Sequence, residues 1–365
     1  MTEKLRILVV DDSALVRRMV RLAIESDPML EVAGVAANGR IALQMVTQLG
    51  LDAITLDLEM PEMNGIETLQ ALRSSGCRLP VVVFSAQTSQ GARATLDALA
   101  SGADDYVTKP GRINNPEEGV AAIRESLVPC LKALCQAASR LSRIGERSAP
   151  PCAASSESGQ TVEIVAIGTS TGGPNALATV IPLIPADFPV PVVVVQHMPP
   201  TFTRFLAERL NHVSALPVQE ALAGERLLPG HVWIAQGDHH LVLRREGEAV
   251  YLELNRQPPE NSCRPAVDVT FRSVAELYGA SALAVVMTGM GQDGLRGSEA
   301  IHRQGGEIYV QDEPTSVVWG MPGFVVRAGL ASKVLPVSEI AGEIVRRVTK
   351  NRAAVPLALA ASTRW

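Results

Sequence analysis

The stretch that decides the fold reads Thr161-Val-Glu-Ile-Val-Ala-Ile-Gly-Thr-Ser-Thr-Gly-Gly-Pro174. Its apolar, β-branched run predicts a strand, and the glycines followed by Pro174 predict a tight turn that opens a helix. Ser170 falls in this turn, where backbone N–H groups and the positive end of a helix dipole would face a reacting oxygen. The same geometry suits a bound phosphate. The turn alone therefore leaves a nucleophilic serine and an anion site as equal alternatives.

Length and composition limit the classes of protein that this chain can be. Its 365 residues predict two domains. A net charge of −5 and a pI near 5.8 give no electrostatic footprint for nucleic acid. The five cysteines are never spaced C-x-x-C, which indicates reduced thiols rather than disulfides or zinc ligands. Without a signal peptide or an apolar run of ~18 residues, we expect a cytoplasmic protein with no membrane insertion.

The first 125 residues alternate predicted strands with helix-period segments, which is typical of a doubly wound parallel sheet. The predicted strands are Leu5–Val10, Glu31–Ala36, Ala53–Leu58, Val81–Ser85 and Asp105–Thr108. Ligands of such sheets bind at the carboxyl ends of the strands. The polar residues that follow or close these strands are Asp11, Asp12, Asp57, Ser85 and Lys109.

These strand ends predict a site for a transient acyl phosphate. Three carboxylates at one edge repel each other unless a cation is bound, and an all-oxygen site suits Mg²⁺. The ion would bridge phosphoryl oxygens while Asp57 acts as the nucleophile, with Lys109 and Ser85 contacting the phosphoryl group. The alternative is that each acid merely caps a helix. Their joint appearance after the appropriate strands disfavours that alternative.

Four motifs carry a resemblance to the receiver domain of two-component response regulators. They are Val9-Val-Asp-Asp-Ser13, Asp57-Leu-Glu-Met-Pro-Glu-Met-Asn-Gly65, Phe84-Ser-Ala86 and Tyr106-Val-Thr-Lys-Pro110. The resemblance implies a flavodoxin-like (βα)5 fold, Asp57 as the phosphoacceptor, and a histidine kinase as the phosphodonor. It implies Mg²⁺ ligands at Asp11, Asp12, Asp57 and the Glu59 carbonyl, and a switch made of Ser85, Tyr106 and Lys109.

The domain organisation is predicted from changes in composition along the chain. We expect a receiver domain over residues 1–125 and a linker over 126–160, helical at first and then rich in Pro, Ser and Ala. A second domain spans 161–350, and 351–365 form a tail of unassigned role. The second domain is also expected to be α/β and mainly parallel. Three short strands suggest a small antiparallel excursion: Val232–Ala235, Leu241–Arg244 and Val250–Leu254.

Three strand ends of the second domain carry residues capable of nucleophilic catalysis: Ser170, His197 and Asp293. A serine hydroxyl needs an imidazole to take its proton and a carboxylate to orient that imidazole. Taken alone, His197 is also compatible with a satisfied residue at a strand terminus. The other five histidines fall in turn-like or surface contexts.

Five further motifs resemble the catalytic domain of the CheB chemotaxis methylesterases. They are Ile167-Gly-Thr-Ser-Thr-Gly-Gly-Pro174, Val195-Gln-His-Met-Pro199, Cys263-Arg-Pro-Ala-Val-Asp-Val-Thr-Phe271, Met287-Thr-Gly-Met-Gly-Gln-Asp-Gly294 and Val318-Trp-Gly-Met-Pro-Gly323. The resemblance implies hydrolysis of γ-glutamyl methyl esters, and deamidation of glutamines, on chemoreceptor cytoplasmic helices. Gln292 stands where Asn is commoner in the family.

The same resemblance assigns roles within the second domain. Ser170 is the nucleophile, His197 the base, Asp293 its orienter, and the Met290 backbone N–H an oxyanion donor. Positioning roles fall to Thr171 and Arg264, and no cofactor is expected in this domain.

Two other functions are the alternatives to this interpretation: a receiver with a DNA-binding or scaffold output, and a degenerate enzyme that only docks at receptors. We further expect the unphosphorylated receiver to cover the Ser170 edge.

Overall fold

A computed structural model describes residues 4–111, 115–141 and 160–350 of the chain. Its first sheet has five parallel strands in the order β2-β1-β3-β4-β5, which is the flavodoxin-like order. The strands are β1 (Leu5–Val10), β2 (Leu30–Ala36), β3 (Ala53–Asp57), β4 (Val81–Ser85) and β5 (Asp105–Thr108). The predicted fold class of this half is confirmed.

Five helices cover the two faces of the first sheet. They are α1 (Ala14–Glu25), α2 (Gly39–Gln48), α3 (Gly65–Ser74), α4 (Ser89–Ala100) and α5 (Pro116–Leu141). Each of the first four begins at a polar side chain that accepts a hydrogen bond from a first-turn amide. Helix α5 continues beyond residue 125, with Leu127, Leu131 and Leu134 buried in the core of the first sheet.

The second sheet has seven strands in the order β14-β13-β12-β6-β7-β9-β8, and every pair is parallel. Two further strands, β10 and β11, form a separate antiparallel hairpin. The bounds are β6 (Ile164–Thr169), β7 (Val192–Gln196), β8 (Val218–Glu220), β9 (Val232–Ile234), β10 (His240–Glu246), β11 (Ala249–Asn255), β12 (Ala282–Val286), β13 (Glu307–Gln311) and β14 (Lys333–Leu335).

The antiparallel excursion is smaller than predicted. The segment at Val232 was expected to belong to it, but Val232 pairs in parallel with Val192 of β7 and Val218 of β8. A strand of three buried residues shows no alternation by which its direction could be inferred.

Six helices surround the second sheet: α6 (Gly173–Val180), α7 (Pro200–Val213), α8 (Val267–Tyr278), α9 (Leu295–Arg303), α10 (Met321–Arg327) and α11 (Val337–Thr349). The turn from β6 to α6 requires its glycines. Gly172 has φ +72°, and a Cβ on Gly173 would lie 2.0 Å from Oε1 of Gln196. Within the described ranges, no helix is long and apolar enough to cross a membrane.

A buried ion pair joins the last helix to the second sheet. Nε and Nη2 of Arg347 on α11 lie 2.9 and 2.7 Å from Oε1 of Glu307 on β13. The two side chains are only 1% and 9% exposed, so neither charge is solvated by bulk water. Losing either partner would remove an opposite charge from beside the other buried charge, which is destabilising.

We expect Glu307→Gln to lower the free energy of unfolding of this domain by about 3 kcal/mol, because the Arg347 guanidinium keeps its buried charge. Glu253→Gln, which removes an exposed cross-strand pair with Arg244, is the matched control and should cost less than about 1 kcal/mol. Urea unfolding followed by tryptophan fluorescence measures both, since Trp233 and Trp319 lie in this domain. Equal costs for the two variants would contradict the prediction.

Candidate active site

Ser170 is held at the end of β6 by three backbone hydrogen bonds. Its N–H donates to the Thr288 carbonyl at 3.0 Å, and its carbonyl accepts from the Gly173 N–H at 2.8 Å and from Nε2 of Gln196 at 3.0 Å. Because α6 begins at Gly173, the positive end of that helix lies beside Ser170. The backbone is thus fixed, and the half-buried side chain lines a cavity.

His197 follows β7, and its Nε2 lies 2.7 Å from Oδ2 of Asp293. Asp293 comes after β12 and also accepts hydrogen bonds from the N–H groups of Val267, Asp268 and Gly294, at 2.6, 3.0 and 3.0 Å. Burial alone raises the pKa of Asp293, but the bonds from His197 and the backbone outweigh it and hold the pKa below its usual value. Asp293 is therefore an ionised partner for the imidazole.

The second ring nitrogen of His197 faces a thiol. Nδ1 lies 3.4 Å from Sγ of Cys263, within hydrogen-bonding distance for sulfur. Burial lowers the pKa of His197, whereas the hydrogen bonds with Asp293 and Cys263 raise it, and the net pKa is about 10.

Across the described residues, no hydrogen bond joins the Ser170 hydroxyl to the ring of His197, although both line one cavity. A protonated ring cannot take the serine proton. This arrangement is therefore a resting one.

The remaining predicted residues of this domain lie in different surroundings. Met290 lines the cavity beside Ser170, and Thr171 is buried next to it. Arg264 lies away from the cavity: its Nε donates to Asp238 at 2.9 Å and its Nη1 to the Gln257 carbonyl at 3.1 Å. Arg264 therefore braces the loop that precedes α8.

The first domain forms one wall of the cavity, which has a volume of about 290 Å³. Its receiver-side lining consists of Asp105, Tyr106, Val107, Thr108, Glu125, Ser126 and Cys130. Asp105 contacts the Thr171 side chain and Sγ of Cys130, and burial raises the pKa of its carboxyl to about 6. The Ser170 edge is thus covered by β5 and α5.

Aromatic and charged contacts hold the two domains together. Tyr106 stacks on Phe202, with ring centroids 5.0 Å apart. Asp97 on α4 pairs with Arg209 on α7 at 2.7 Å, and the guanidinium of Arg93 lies 4.5 Å above the ring of Phe205. The interface therefore joins β5 and α4 of the first domain to α7 of the second.

The acidic residues and the lysine for which a phosphorylation site is predicted lie close together at the end of the first sheet. Nζ of Lys109 lies 2.9 Å from both Asp11 and Asp57. Carboxylate oxygens of Asp11, Asp12 and Asp57 all lie within 4.8 Å of one another. Burial, which outweighs the effect of Lys109, raises the pKa of Asp57. A cluster of hard oxygen donors at this spacing fits a magnesium ion.

The other receiver residues also surround this site. Ser85 donates to the Gly91 carbonyl at 3.1 Å, and Glu59 has an exposed side chain while its backbone N–H hydrogen-bonds Asp57. Oδ2 of Asp11 is buried and is the oxygen that Nζ of Lys109 contacts at 2.9 Å, so a cation bound there would share this oxygen with Lys109 or displace its ammonium group.

Two polar residues that support Asp293 were not singled out from the sequence. Nδ2 of Asn261 donates to both Asp268, at 2.9 Å, and Asp293, at 3.0 Å. Asp268 is buried and also accepts from the Gly297 N–H, and burial raises its pKa to about 6. Asp268 falls within one of the quoted motifs, and a carboxylate amid its apolar residues was the available signal. The sequence contains no comparable signal for Asn261, because the position of its side chain depends on its left-handed backbone conformation, with φ 52°.

The fold and the site define a class: a receiver domain joined to an α/β domain that carries serine-hydrolase-type residues at its strand ends. Family models agree, matching the response regulator receiver domain over residues 7–123 and CheB methylesterase over 165–344.

Individual relatives extend this agreement over the whole chain. A protein-glutamate methylesterase/protein-glutamine glutaminase of Trichodesmium erythraeum is 48% identical, over 94% of this chain and 99% of its own. One from Nocardioides sp. is 45% identical, over 95% and 96%. The crystal structure of the Thermotoga maritima CheB methylesterase catalytic domain shares 45% identity at a TM-score of 0.50, covering 51% of this chain and 99% of that one. This chain belongs to the CheB methylesterase family, as predicted.

We expect Asp293→Asn to lower the pKa of His197 from about 10, because burial remains while the carboxylate that raises this pKa most is lost. Since the folded-state pKa is raised, the pair stabilises the fold fully below pH 6.5 and ceases to do so as the pH rises through about 10. NMR titration of the imidazole measures the pKa, with Glu253→Gln as a control. An unchanged pKa in Asp293→Asn would show that another group holds the proton.

Proposed function

We propose that this chain hydrolyses γ-glutamyl methyl esters, and deamidates specific glutamines, on the cytoplasmic helices of chemoreceptors. The supporting observation is the His197–Asp293 hydrogen bond in the cavity that Ser170 lines. The names of the relatives give the same reaction types for those proteins.

The reaction begins with attack of Ser170 Oγ on the ester or amide carbonyl. Asp293 occupies Nε2 of His197, so the serine proton must pass to Nδ1. The oxyanion of the tetrahedral intermediate accepts a hydrogen bond from the Met290 backbone N–H. His197 then returns the proton to the leaving group, as methanol or ammonia. Water hydrolyses the γ-glutamyl ester of Ser170, and both substrates yield a glutamate.

The resting arrangement must change before this chemistry can begin. Cys263 has to release Nδ1, and the ring has to lose a proton, because only a neutral imidazole accepts one from a hydroxyl. The receiver must also move, since a receptor helix is far larger than a cavity of about 290 Å³. Both requirements support a gated enzyme.

The gate we propose is phosphorylation of Asp57 by a histidine kinase. Asp11, Asp12, Asp57 and the Glu59 carbonyl would hold Mg²⁺, which neutralises phosphoryl charge when bound. Lys109 would pair with the phosphoryl group, and Ser85 would turn from the Gly91 carbonyl towards it. Tyr106 then leaves the ring of Phe202, which weakens the interface.

Methanol release from a methylated receptor cytoplasmic fragment tests the reaction and its gate together. We expect release to rise with Mg²⁺ and a small phosphodonor in the wild type, to stay at the basal rate in Asp57→Ala, and to fall at least about 10³-fold in Ser170→Ala. Folded Ser170→Ala protein that still releases methanol at the wild-type rate would rule out the serine mechanism. An inactive wild type would favour a docking protein.

Because Arg209 on α7 pairs with Asp97 across the interface, we expect reversal of its charge to raise the basal rate of methanol release. Arg209→Glu places a like charge opposite Asp97 and should open the enzyme by about 1 kcal/mol, or about fivefold in basal methanol release. Arg204→Glu is the matched control, because Arg204 contacts Glu208 and Phe205 of its own helix.

Adding Asp97→Arg to Arg209→Glu restores an opposite-charge pair and should return the basal rate towards the wild-type value. If Arg204→Glu activates as strongly as Arg209→Glu, the effect belongs to the charge of the helix and not to the interface.

A further inference from the structure

Cys263 completes a second arrangement of nucleophile, base and carboxylate around His197. The turn before it is closed by two backbone hydrogen bonds between Glu260 and Cys263, at 2.9 and 3.1 Å, which fix the thiol in place. Its sulfur lies 3.4 Å from Nδ1 of His197, while Nε2 of the same ring binds Asp293. Cysteine hydrolases have the same chain of contacts, from nucleophile to imidazole to carboxylate. Here the sulfur of Cys263 is next to Nδ1, the nitrogen that the Ser170 hydroxyl must reach.

The environment of Cys263 differs from that of the other described cysteines. Cys130 and Cys135 are buried, and burial raises the pKa of Cys130 well above its usual value and that of Cys135 to about 12. Cys77 is partly exposed and packs against the apolar core of its own domain. Cys263 is partly exposed and contacts an imidazole that can hold its proton. Thiolate character and exposure together decide which cysteine of a protein reacts.

We propose that Cys263 is an oxidation site: hydroperoxides convert its thiol to a sulfenic acid, and this modification switches off the Ser170 centre. The second half of this proposal rests on the proposed esterase function. The first half concerns only the chemistry of the Cys263–His197 pair.

The oxidation is a two-electron step: Cys263 is oxidised, the peroxide is reduced, and His197 holds and returns the proton. The reacting form is the pair in which Nδ1 of His197 carries the proton and Cys263 is a thiolate, and this thiolate attacks one oxygen of the peroxide. The S–O bond forms as the O–O bond breaks, so sulfur is oxidised and the peroxide oxygen reduced. The leaving hydroxide or alkoxide takes the proton back from the imidazolium as water or an alcohol, which leaves Cys–SOH beside a neutral ring.

The new oxygen lies between Sγ and Nδ1, where the separation is already only 3.4 Å. Nδ1 is the nitrogen that must receive the Ser170 proton, because Asp293 holds Nε2. A sulfenic hydroxyl that hydrogen-bonds Nδ1 removes this acceptor, and the esterase stops. Small thiols reduce a sulfenic acid, so the block is reversible.

The test labels sulfenic acid in the full-length protein with dimedone after a brief exposure to hydrogen peroxide, and maps each cysteine by mass spectrometry. We expect Cys263 to be labelled at least about tenfold faster than Cys77, as a thiolate paired with an imidazole should be. His197→Ala should remove this advantage. Asp293→Asn, which keeps the ring but not its carboxylate, is the second variant and should slow the labelling. Equal labelling of Cys263 and Cys77 in the wild type overturns the proposal.

The consequence for activity is measured as methanol release, with each variant compared with its own untreated rate. Peroxide should inhibit the wild type and Cys77→Ser, dithiothreitol should restore both, and Cys263→Ser should resist. Inhibition of Cys263→Ser at the wild-type rate overturns the regulatory half. Ser170→Ala has no esterase to lose but should still be labelled at Cys263, so labelling remains measurable even if the proposed reaction is wrong.

Discussion

The hydrogen bond between His197 and Asp293 is the interaction on which the catalytic edge depends, and backbone atoms hold it in place. Two of the N–H groups that donate hydrogen bonds to the Asp293 carboxylate belong to the first turn of α8, where the helix dipole stabilises a negative charge. A third comes from Gly294, whose φ of +91° suits glycine alone. These three backbone donors fix the carboxylate that the imidazole contacts. The acceptor of the His197 hydrogen bond is therefore held in place by backbone atoms.

The contact between the domains uses the same receiver elements that would respond to phosphorylation. Ser85 closes β4 and Tyr106 lies on the neighbouring strand β5, with Val83 paired to Tyr106. Tyr106 in turn stacks on Phe202 at the start of α7. Leucines of α4 and α7 also share one buried cluster, so these two helices cannot separate without exposing apolar surface. A structural change at Asp57 on β3 could therefore reach the catalytic domain through the neighbouring strands β4 and β5.

The sequence was most informative where local pattern and tertiary environment agree. The bounds of β1, β4 and β5 coincide with the predicted ones, and in β1 and β4 a mainly apolar run ends at a polar residue. Placing Ser170, His197 and Asp293 at one edge followed from parallel topology, since strand ends meet there. The contact between Cys263 and His197 could not be predicted, because it joins residues 66 positions apart through a turn with Asn261 and Ser262 at positive φ. The direction of β9 likewise depends on its neighbours.

One imidazole lies beside two possible nucleophiles, Ser170 and Cys263. In the resting state Nδ1 is engaged by sulfur, and the ring keeps its proton because its hydrogen bonds with Asp293 and Cys263 outweigh the effect of burial on its pKa. Before Ser170 can react, Cys263 must release Nδ1 and the ring must lose its proton, because only a neutral imidazole accepts a proton from a hydroxyl. The neutral ring can then accept a proton from Ser170. On the functions proposed above, the receiver governs access to the catalytic base, and a thiol beside that base gives oxidants a second way to hold the enzyme inactive.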